Sequence, residues 1–488
     1  MKRFFALFLL LTLLLSSCSS SLGTESTSEQ SADTSFTEAT VEESKKYDKT
    51  GFQTGFAMVD ITPSTGVPLA GYGNVTYRRS QMVRDPLYST CVAMSDGENT
   101  LLFITNDLIR CSDELISLVQ KRMQKEYGIP PENIIVAGTH THSAPDIGAD
   151  SDSAVAAYLS LLYKGVVEAC KLAIADLDRT DTYCGKTATE GLAHVRRYFR
   201  SDGTFEKNVE GMQSSAPIAT HESMADQTMQ IIKFDRANQK DIVLVNWRGH
   251  PTLTGGYAKT VVSADYVGEF RRRAEADLDV NFAYYLDGSG NIQPHSRLAG
   301  EKDYTVEAIG KELNEVLCAA MPNLRKAKTG KVSAVSTVYP AKVNKELGEL
   351  NVEQLSEILQ VWRSNQKDLA YALCRQYGVT SPYAASSFLS RSKLSDTIGL
   401  GLWAFSIGDI AMVSAPFEMF DTTSVQIRED SPFEITFVAS CANGSNGYIP
   451  SAQAFPNGGY EVDTCKFIPG TAEELVAEYV KMLNSLKG

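Results

Sequence analysis

Short apolar runs recur along this chain, separated by stretches whose apolar residues fall at helical spacing. Ala57–Ile61, Leu101–Thr105, Ile134–Ala137, Met229–Phe234, Ile242–Trp247, Phe282–Leu286, Val332–Val338, Ile410–Ser414 and Ile435–Ala439 predict strands. Between them, Ser112 is placed to cap a helix carrying Leu115, Ile116, Val119 and Met123 on one side. Ala154–Leu177, Val306–Ala320, Val352–Tyr377 and Ala472–Leu486 also read as helices. Met229–Asp235 and Asp241–Trp247, joined by Arg236–Lys240, form a predicted hairpin, so the sheet is mixed rather than purely parallel. Alternating strands and helices without an internal linker predict one large layered α/β domain over residues 51–488. Within it, Leu347–Leu400 is a mostly helical insertion.

The N-terminus departs from this pattern. Lys2 and Arg3 precede the apolar run Phe4–Leu15, which ends in Leu15-Ser16-Ser17-Cys18. A positive start and a short apolar core read as a secretory signal. The Leu-Ser-Ser-Cys ending resembles a bacterial lipobox, which makes residues 1–18 a lipoprotein signal peptide and Cys18 the lipidated residue. Residues 19–50 are dominated by Ser, Thr, Glu and Asp and predict a disordered tether. A flexible coil of this length spans on the order of 30 Å. The expected location is the bacterial cell envelope, with the body lipid-anchored to a membrane surface on the extracytoplasmic side.

Composition narrows the remaining possibilities. The 488 residues carry 46 Lys+Arg against 59 Asp+Glu, a net charge of −13, which argues against nucleic acid as a partner. No later stretch reads as a bilayer span of about 18 apolar residues. The eight further cysteines form no C-x-x-C pair, so a Cys-based zinc site is not expected. Cys441 and Cys465 flank a candidate active-site segment, but buried free thiols are the expectation.

The six histidines are few enough for their placement to matter. His140 and His142 sit in Gly138-Thr-His-Thr-His-Ser-Ala-Pro145, directly after an apolar strand. In extended chain, residues i and i+2 point the same way, which suits a metal site or a ligand-plus-base pair as well as two surface imidazoles. His250, in Asn246-Trp-Arg-Gly-His-Pro-Thr252, repeats the setting of strand, His and Pro. Glu418, in Ala415-Pro-Phe-Glu-Met419, is a candidate oxygen ligand.

These motifs, in order, resemble the catalytic domain of the neutral/alkaline non-lysosomal ceramidases, zinc-dependent amidases that split the N-acyl bond of ceramide. The resemblance rests on Val59-Asp-Ile-Thr-Pro63, Pro68-Leu-Ala-Gly-Tyr72, Asp85-Pro-Leu-Tyr88, Gly138 to Ser143, Asn246 to Thr252, Ser263-Ala-Asp-Tyr266, Pro416-Phe-Glu418, Asn443 to Pro450 and Gly459-Tyr-Glu461. It implies a Zn2+ held by His140, His250, Glu418 and Tyr448, with His142 as an acid–base histidine and Arg197 facing the substrate. The choice between His140 and His142 as ligand stays open. Where the ceramidases carry Gly-Asp-Val-Ser-Pro with a Ser held to be catalytic, this chain has Gly290-Asn-Ile-Gln-Pro294. Gln293 cannot act as a nucleophile, though its amide can bind substrate. The resemblance covers the catalytic domain, and the expectation is a chain lacking the C-terminal immunoglobulin-like domain of those enzymes.

The resemblance therefore implies hydrolysis of an amide bond in a small-molecule or lipid N-acyl substrate by metal-activated water, with ceramide itself in doubt. Two other readings compete. A solute-binding lipoprotein would share the tether and acidic body but would not need the His, Glu and Tyr set. A TIM-barrel metallohydrolase also uses an H-x-H pair, but the hairpin and the scarcity of later His count against it. The anchor has its own test. Cys18→Ala releases the protein from membranes or stalls its processing; a variant that still fractionates tightly with membranes would place the anchor elsewhere.

Overall fold

The computed structural model describes residues 51–72, 78–149, 151–206, 214–255, 259–298, 304–346 and 350–487. Cys18 and the segments 1–18 and 19–50 lie outside these residues. Eight strands form the backbone of the large sheet: β1 (Gln53–Asp60), β2 (Tyr88–Ser95), β3 (Thr100–Asn106), β4 (Ile134–Gly138), β5 (Asp178–Ala188), β6 (Thr228–Arg236), β7 (Ile242–Trp247) and β8 (Asn281–Leu286). Their spatial order is β8-β7-β6-β5-β1-β2-β3-β4, and the short β9 (Arg325–Lys326) pairs with β5. The pairs β3–β4 and β7–β8 are parallel and the rest antiparallel, so the expected β6–β7 hairpin sits in a mixed sheet.

Both parallel pairs are crossover units. Helix α1 (Asp113–Tyr127) connects β3 to β4, and α3 (Asp265–Leu278) connects β7 to β8. Ser112 caps α1, its side chain accepting from the Leu115 amide. With α2 (Ser153–Ala175), α1 covers one face of β1–β4, burying Leu115, Val119, Leu162 and Val166 against Ala93, Leu102, Ile104 and Val136. Together α3 and α4 (Val306–Ala320) cover β6–β8 through Phe270, Leu313, Val243, Phe282 and Leu286. Helix α2 is long and apolar enough to pass as a membrane span, which the sequence reading did not anticipate. Its buried stripe of Val155, Tyr158, Leu162, Val166, Ala169 and Ala173 instead packs in the core.

A second sheet lies on the other face. Strands β10 (Val332–Lys342), β11 (Thr397–Ile407), β12 (Ile410–Ala415) and β13 (Ile435–Ser440) are arranged in that order, with β12 and β13 parallel. The layer between the sheets contains Phe103, Ile135, Phe234, Leu244, Tyr285, Phe405, Met412, Phe437 and Ala439. The large sheet coils until β8, at one end, reaches β3, next to the other end: Tyr285 of β8 stacks on Phe103 of β3, with centroids 3.6 Å apart and planes at 6°. The Tyr285 hydroxyl also donates to the Phe103 carbonyl at 2.7 Å. Side-chain amides stitch β13 into this seam. Gln230 Nε2 and Asn246 Nδ2 donate to the Thr436 and Val438 carbonyls at 2.8 and 3.0 Å. Just after β13, Asn443 accepts from the Val136 amide at 2.8 Å and donates to the Ile134 carbonyl at 3.1 Å.

Three long strands were not legible as apolar runs. Strand β5, Asp178–Ala188, alternates buried with exposed or half-exposed positions and has no continuous apolar stretch. Strand β2 is interrupted by Ser and Thr, and the first half of β11 is largely exposed. The insertion between β10 and β11 is helical as expected, but Val352–Tyr377 is not one helix. It divides into α5 (Val352–Arg363) and α6 (Lys367–Tyr377), with Asn365 at φ 59° between them, and α7 (Pro382–Arg391) follows. All eight cysteines among the described residues are free, so Cys441 and Cys465 are not joined.

The seam predicts its own sensitivity. Phe103→Ala removes both the stack and much of the inter-sheet filling, and costs about 3–5 kcal/mol of stability. Denaturant unfolding measures it; a loss below about 1 kcal/mol would show that the coil is closed by other contacts.

Candidate metal centre

The coiled sheet brings together strand ends that lie far apart in strand order. His140 and His142 follow β4, and His250 follows β7. All three are buried, and their ligating nitrogens lie within 4.8 Å of one another, so they could hold a metal ion. The loops are fastened directly: the His142 amide donates to the Pro251 carbonyl at 3.1 Å, and the His140 amide to the Leu108 carbonyl at 2.9 Å. His140 sits at φ 69°, a left-handed conformation unfavourable for a residue with a Cβ, and such strain concentrates at functional sites.

Two of the rings are oriented by backbone carbonyls. His140 Nδ1 lies 2.7 Å from the Ile109 carbonyl, and His250 Nδ1 lies 3.2 Å from that of Ser289. A carbonyl on Nδ1 selects the tautomer that leaves Nε2 available as a ligand atom. His142 differs. Its Nε2 is 3.0 Å from His250 Nε2, its ring stands edge-on to Tyr72, and Gly71 packs so closely on the imidazole that a Cβ there would come within 2.4 Å.

Glu418 and Tyr448 arrive from the second sheet's side. After β12 the chain forms the two-residue strand Glu418–Met419, parallel to Tyr448–Ile449, with Glu418 opposite Tyr448. Glu418 Oε2 is 3.2 Å from His140 Nε2 and 3.9 Å from His250 Nε2. Glu418 Oε2 and His140 Nε2 are buried and meet as an ion pair with no well-aligned hydrogen bond between them. Buried polar atoms are rarely left so, and two that face each other beside two further imidazoles fit a cation. The donor set of imidazole nitrogen and carboxylate or phenol oxygen also suits zinc chemistry.

The electrostatics follow from burial and crowding. Burial pushes the His142 and His250 pKa values well below the ordinary value, and the neighbouring His140 and Arg196 push the same way, so both rings are neutral. Burial also works against a charged His140, but Cys441 and Glu418 raise its pKa well above the usual value. The Cys441 sulfur is 3.3 Å from His140 Nδ1. Burial would raise the pKa of Glu418, yet His140, Tyr448 and Arg196 hold it below the ordinary carboxylate value. Burial and the Glu418 carboxylate push the Tyr448 phenol well above its usual range.

Arg197 is placed differently from its expected role. Its Nε and Nη2 pair with Glu222, its Nη1 with Glu461 and the Gly458 carbonyl, and its Nη2 also with the Ala454 carbonyl. A guanidinium has five N–H donors, and these five bonds use them all, leaving none for a substrate. The neighbouring Arg196 reaches the cluster instead. Its Nη2 donates to the Tyr448 hydroxyl at 3.1 Å and to the Gly290 carbonyl at 2.8 Å, and its Nε pairs with Glu461 at 2.8 Å. Adjacent residues of an extended segment point to opposite sides, so the Arg-Arg pair contained the signal but not the choice. Gln293 lies on the two-residue strand Ile292–Gln293, paired with His194–Val195, where it is half-buried beside the segment carrying Arg196. The sequence set Cys441 beside a candidate active-site segment but gave no sign of its contact with His140, and nothing in it pointed to the Ser289 carbonyl.

The family described as "Neutral/alkaline non-lysosomal ceramidase, N-terminal" matches residues 52–297, half of the chain. The fold is similar to the crystal structure of neutral ceramidase from Pseudomonas aeruginosa, with a TM-score of 0.68 at 16% identity, covering 90% of this chain and 75% of that one. A structure described as ceramidase complexed with C2 matches with a TM-score of 0.67 at 16% identity and the same coverage. With residues 52–297 matched to the family and the ordered strand-end motifs gathered at one buried site, the chain belongs to the neutral/alkaline non-lysosomal ceramidase family.

Proposed function

We propose that the protein is a zinc-dependent hydrolase of N-acyl (amide) bonds in which His140, His250, Glu418 and Tyr448 hold the metal. The observation that carries this reading is the buried, facing pair His140 Nε2 and Glu418 Oε2, 3.2 Å apart without a well-aligned hydrogen bond and flanked by His250 and His142. The carbonyls on Nδ1 of His140 and His250 leave Nε2 of both rings available as ligand atoms. When bound, zinc supplies Lewis acidity, polarising a carbonyl and lowering the pKa of water from about 15.7 toward 7.

The remaining roles belong to side chains. His142 is neutral, buried and beside the ligand His250, where it takes a proton from the attacking water and returns one to the leaving amine. Arg196 takes the role expected of Arg197: held by Glu461 and Gly290, its guanidinium places positive charge beside the cluster and faces the substrate carbonyl. Gln293 positions substrate through its amide and contributes no covalent step. Because it stands where the ceramidases carry Ser, long-chain ceramide is not the preferred substrate in this reading. Shorter N-acyl compounds, made accessible at a membrane surface by the lipid on Cys18, fit better.

Elemental analysis of the purified protein gives about one zinc per chain. His250→Ala loses metal and turnover together. His142→Ala retains metal while its rate falls by roughly 10²–10⁴, the usual range for lost acid–base help. Gln293→Ala has a smaller effect. Turnover of ceramide is compared with that of short N-acyl compounds, with and without a chelator. A protein that cannot be loaded with zinc, or hydrolysis that survives its complete removal, would overturn the reading; efficient ceramide cleavage would overturn the inference drawn from Gln293.

A further inference from the structure

The loop that leaves β8 at Asp287 touches His250, Arg196 and the segment that carries Glu418. The Ser289 carbonyl faces His250 Nδ1 at 3.2 Å, and the Gly290 carbonyl accepts from Arg196 Nη2 at 2.8 Å. The Asn291 carbonyl accepts from the Arg196 amide, and the Gly290 amide donates to the Met419 carbonyl at 2.7 Å. The approach is close enough to require glycine: a Cβ on Gly290 would lie 2.9 Å from the Glu418 carbonyl oxygen, and one on Gly288 would lie 2.8 Å from that of Phe420. The loop is therefore seated, backbone on backbone, against the segment that carries Glu418.

A reciprocal side-chain bond locks this seat. Asn291 Nδ2 donates to Asp421 Oδ1 at 2.7 Å, and the Asp421 amide donates back to Asn291 Oδ1 at 2.9 Å. Both residues are almost wholly buried, with exposures of 2% and 1%. Asp421 opens helix α8 (Asp421–Glu429), three residues after Glu418, and its other oxygen accepts from the Asp226 amide at 3.4 Å. Fixing Asn291 against Asp421 thus fixes the register between the Ser289 and Gly290 carbonyls and Glu418.

We infer that Asn291 is a positioning residue for the metal centre, acting through Asp421 to aim His250 and Arg196 at Glu418 rather than by touching substrate. The inference rests on reading the cluster as a metal site. Loss of a group that orients a ligand from behind typically costs about 10- to 100-fold in metal affinity.

The test is calorimetric titration of the metal-stripped full-length protein with zinc ions, with melting temperature followed in parallel. Asn291→Ala weakens zinc binding by about 10- to 100-fold. Asn314→Ala is the control: it removes an amide–carboxylate bond of the same 2.7 Å length, to Asp277, between α4 and α3. It lowers the melting temperature but leaves zinc affinity unchanged. Asn291→Asp alone sets two carboxylates against each other and weakens binding. The double variant Asn291→Asp with Asp421→Asn restores the donor–acceptor pair and returns affinity to near the parent's. Unchanged affinity in Asn291→Ala, equal weakening in Asn314→Ala, or no rescue by the swap would each overturn the inference. Should Asn291→Ala fail to fold, the isosteric single and double variants decide alone. A parent protein that takes up no zinc would instead remove the metal reading, and this inference with it.

Discussion

The closure of the large sheet on itself is the constraint on which the rest of the structure depends. Strands β4 and β7 are separated by five others, and at the usual spacing of about 4.8 Å a flat sheet would hold their ends far apart. Yet His142 and His250 meet at 3.0 Å. The twist inherent in β-strands supplies curvature, and the Tyr285–Phe103 stack with its hydroxyl-to-carbonyl bond fastens β8 to β3. Strand β13, held by amides of Gln230, Asn246 and Asn443, occupies the seam and carries the second sheet into it. The site is where this seam opens at the strand ends.

Such closure forces charge into the interior, and the surrounding groups compensate for it locally. Arg197 is enclosed by Glu222 and Glu461, and Arg248 by Asp226 and Asp287. Burying an ion is costly unless it is paired and hydrogen-bonded; Arg197 meets that condition with all its N–H groups, whereas Arg248 is paired through Nη2 alone, its Nε and Nη1 buried without a hydrogen-bond partner. These pairs leave Arg196 as the guanidinium that reaches Tyr448, and they hold the loop after β8 in place. In the same way, neutral His142 and His250 coexist with a charged Glu418 because the cationic neighbours reinforce burial on the imidazoles but oppose and outweigh it on the carboxylate. The insertion between β10 and β11 builds its own small core from Leu355, Ile358, Leu359, Cys374 and Ala385.

What the sequence determined by itself was local. Continuous apolar runs marked most central strands, because a strand buried on both faces needs no polar alternation, and the cap at Ser112 and the β6–β7 hairpin were legible from neighbours in the chain. Strand β5 escaped because one of its faces meets solvent, and the break at Asn365 escaped because helical spacing runs through it. His140, His142, His250 and Glu418 were visible as polar residues at the ends of apolar strands, but only resemblance to a family gathered them into one set and added Tyr448. The tertiary structure decided which atoms meet. It separated Arg196 from Arg197 by the face each presents, set the Ser289 carbonyl behind His250, and laid Asn291 on Asp421 across 130 residues. Periodicity reports whether a side chain turns inward; what it meets there depends on how the sheet coils, and that is a property of packing between segments far apart in the chain.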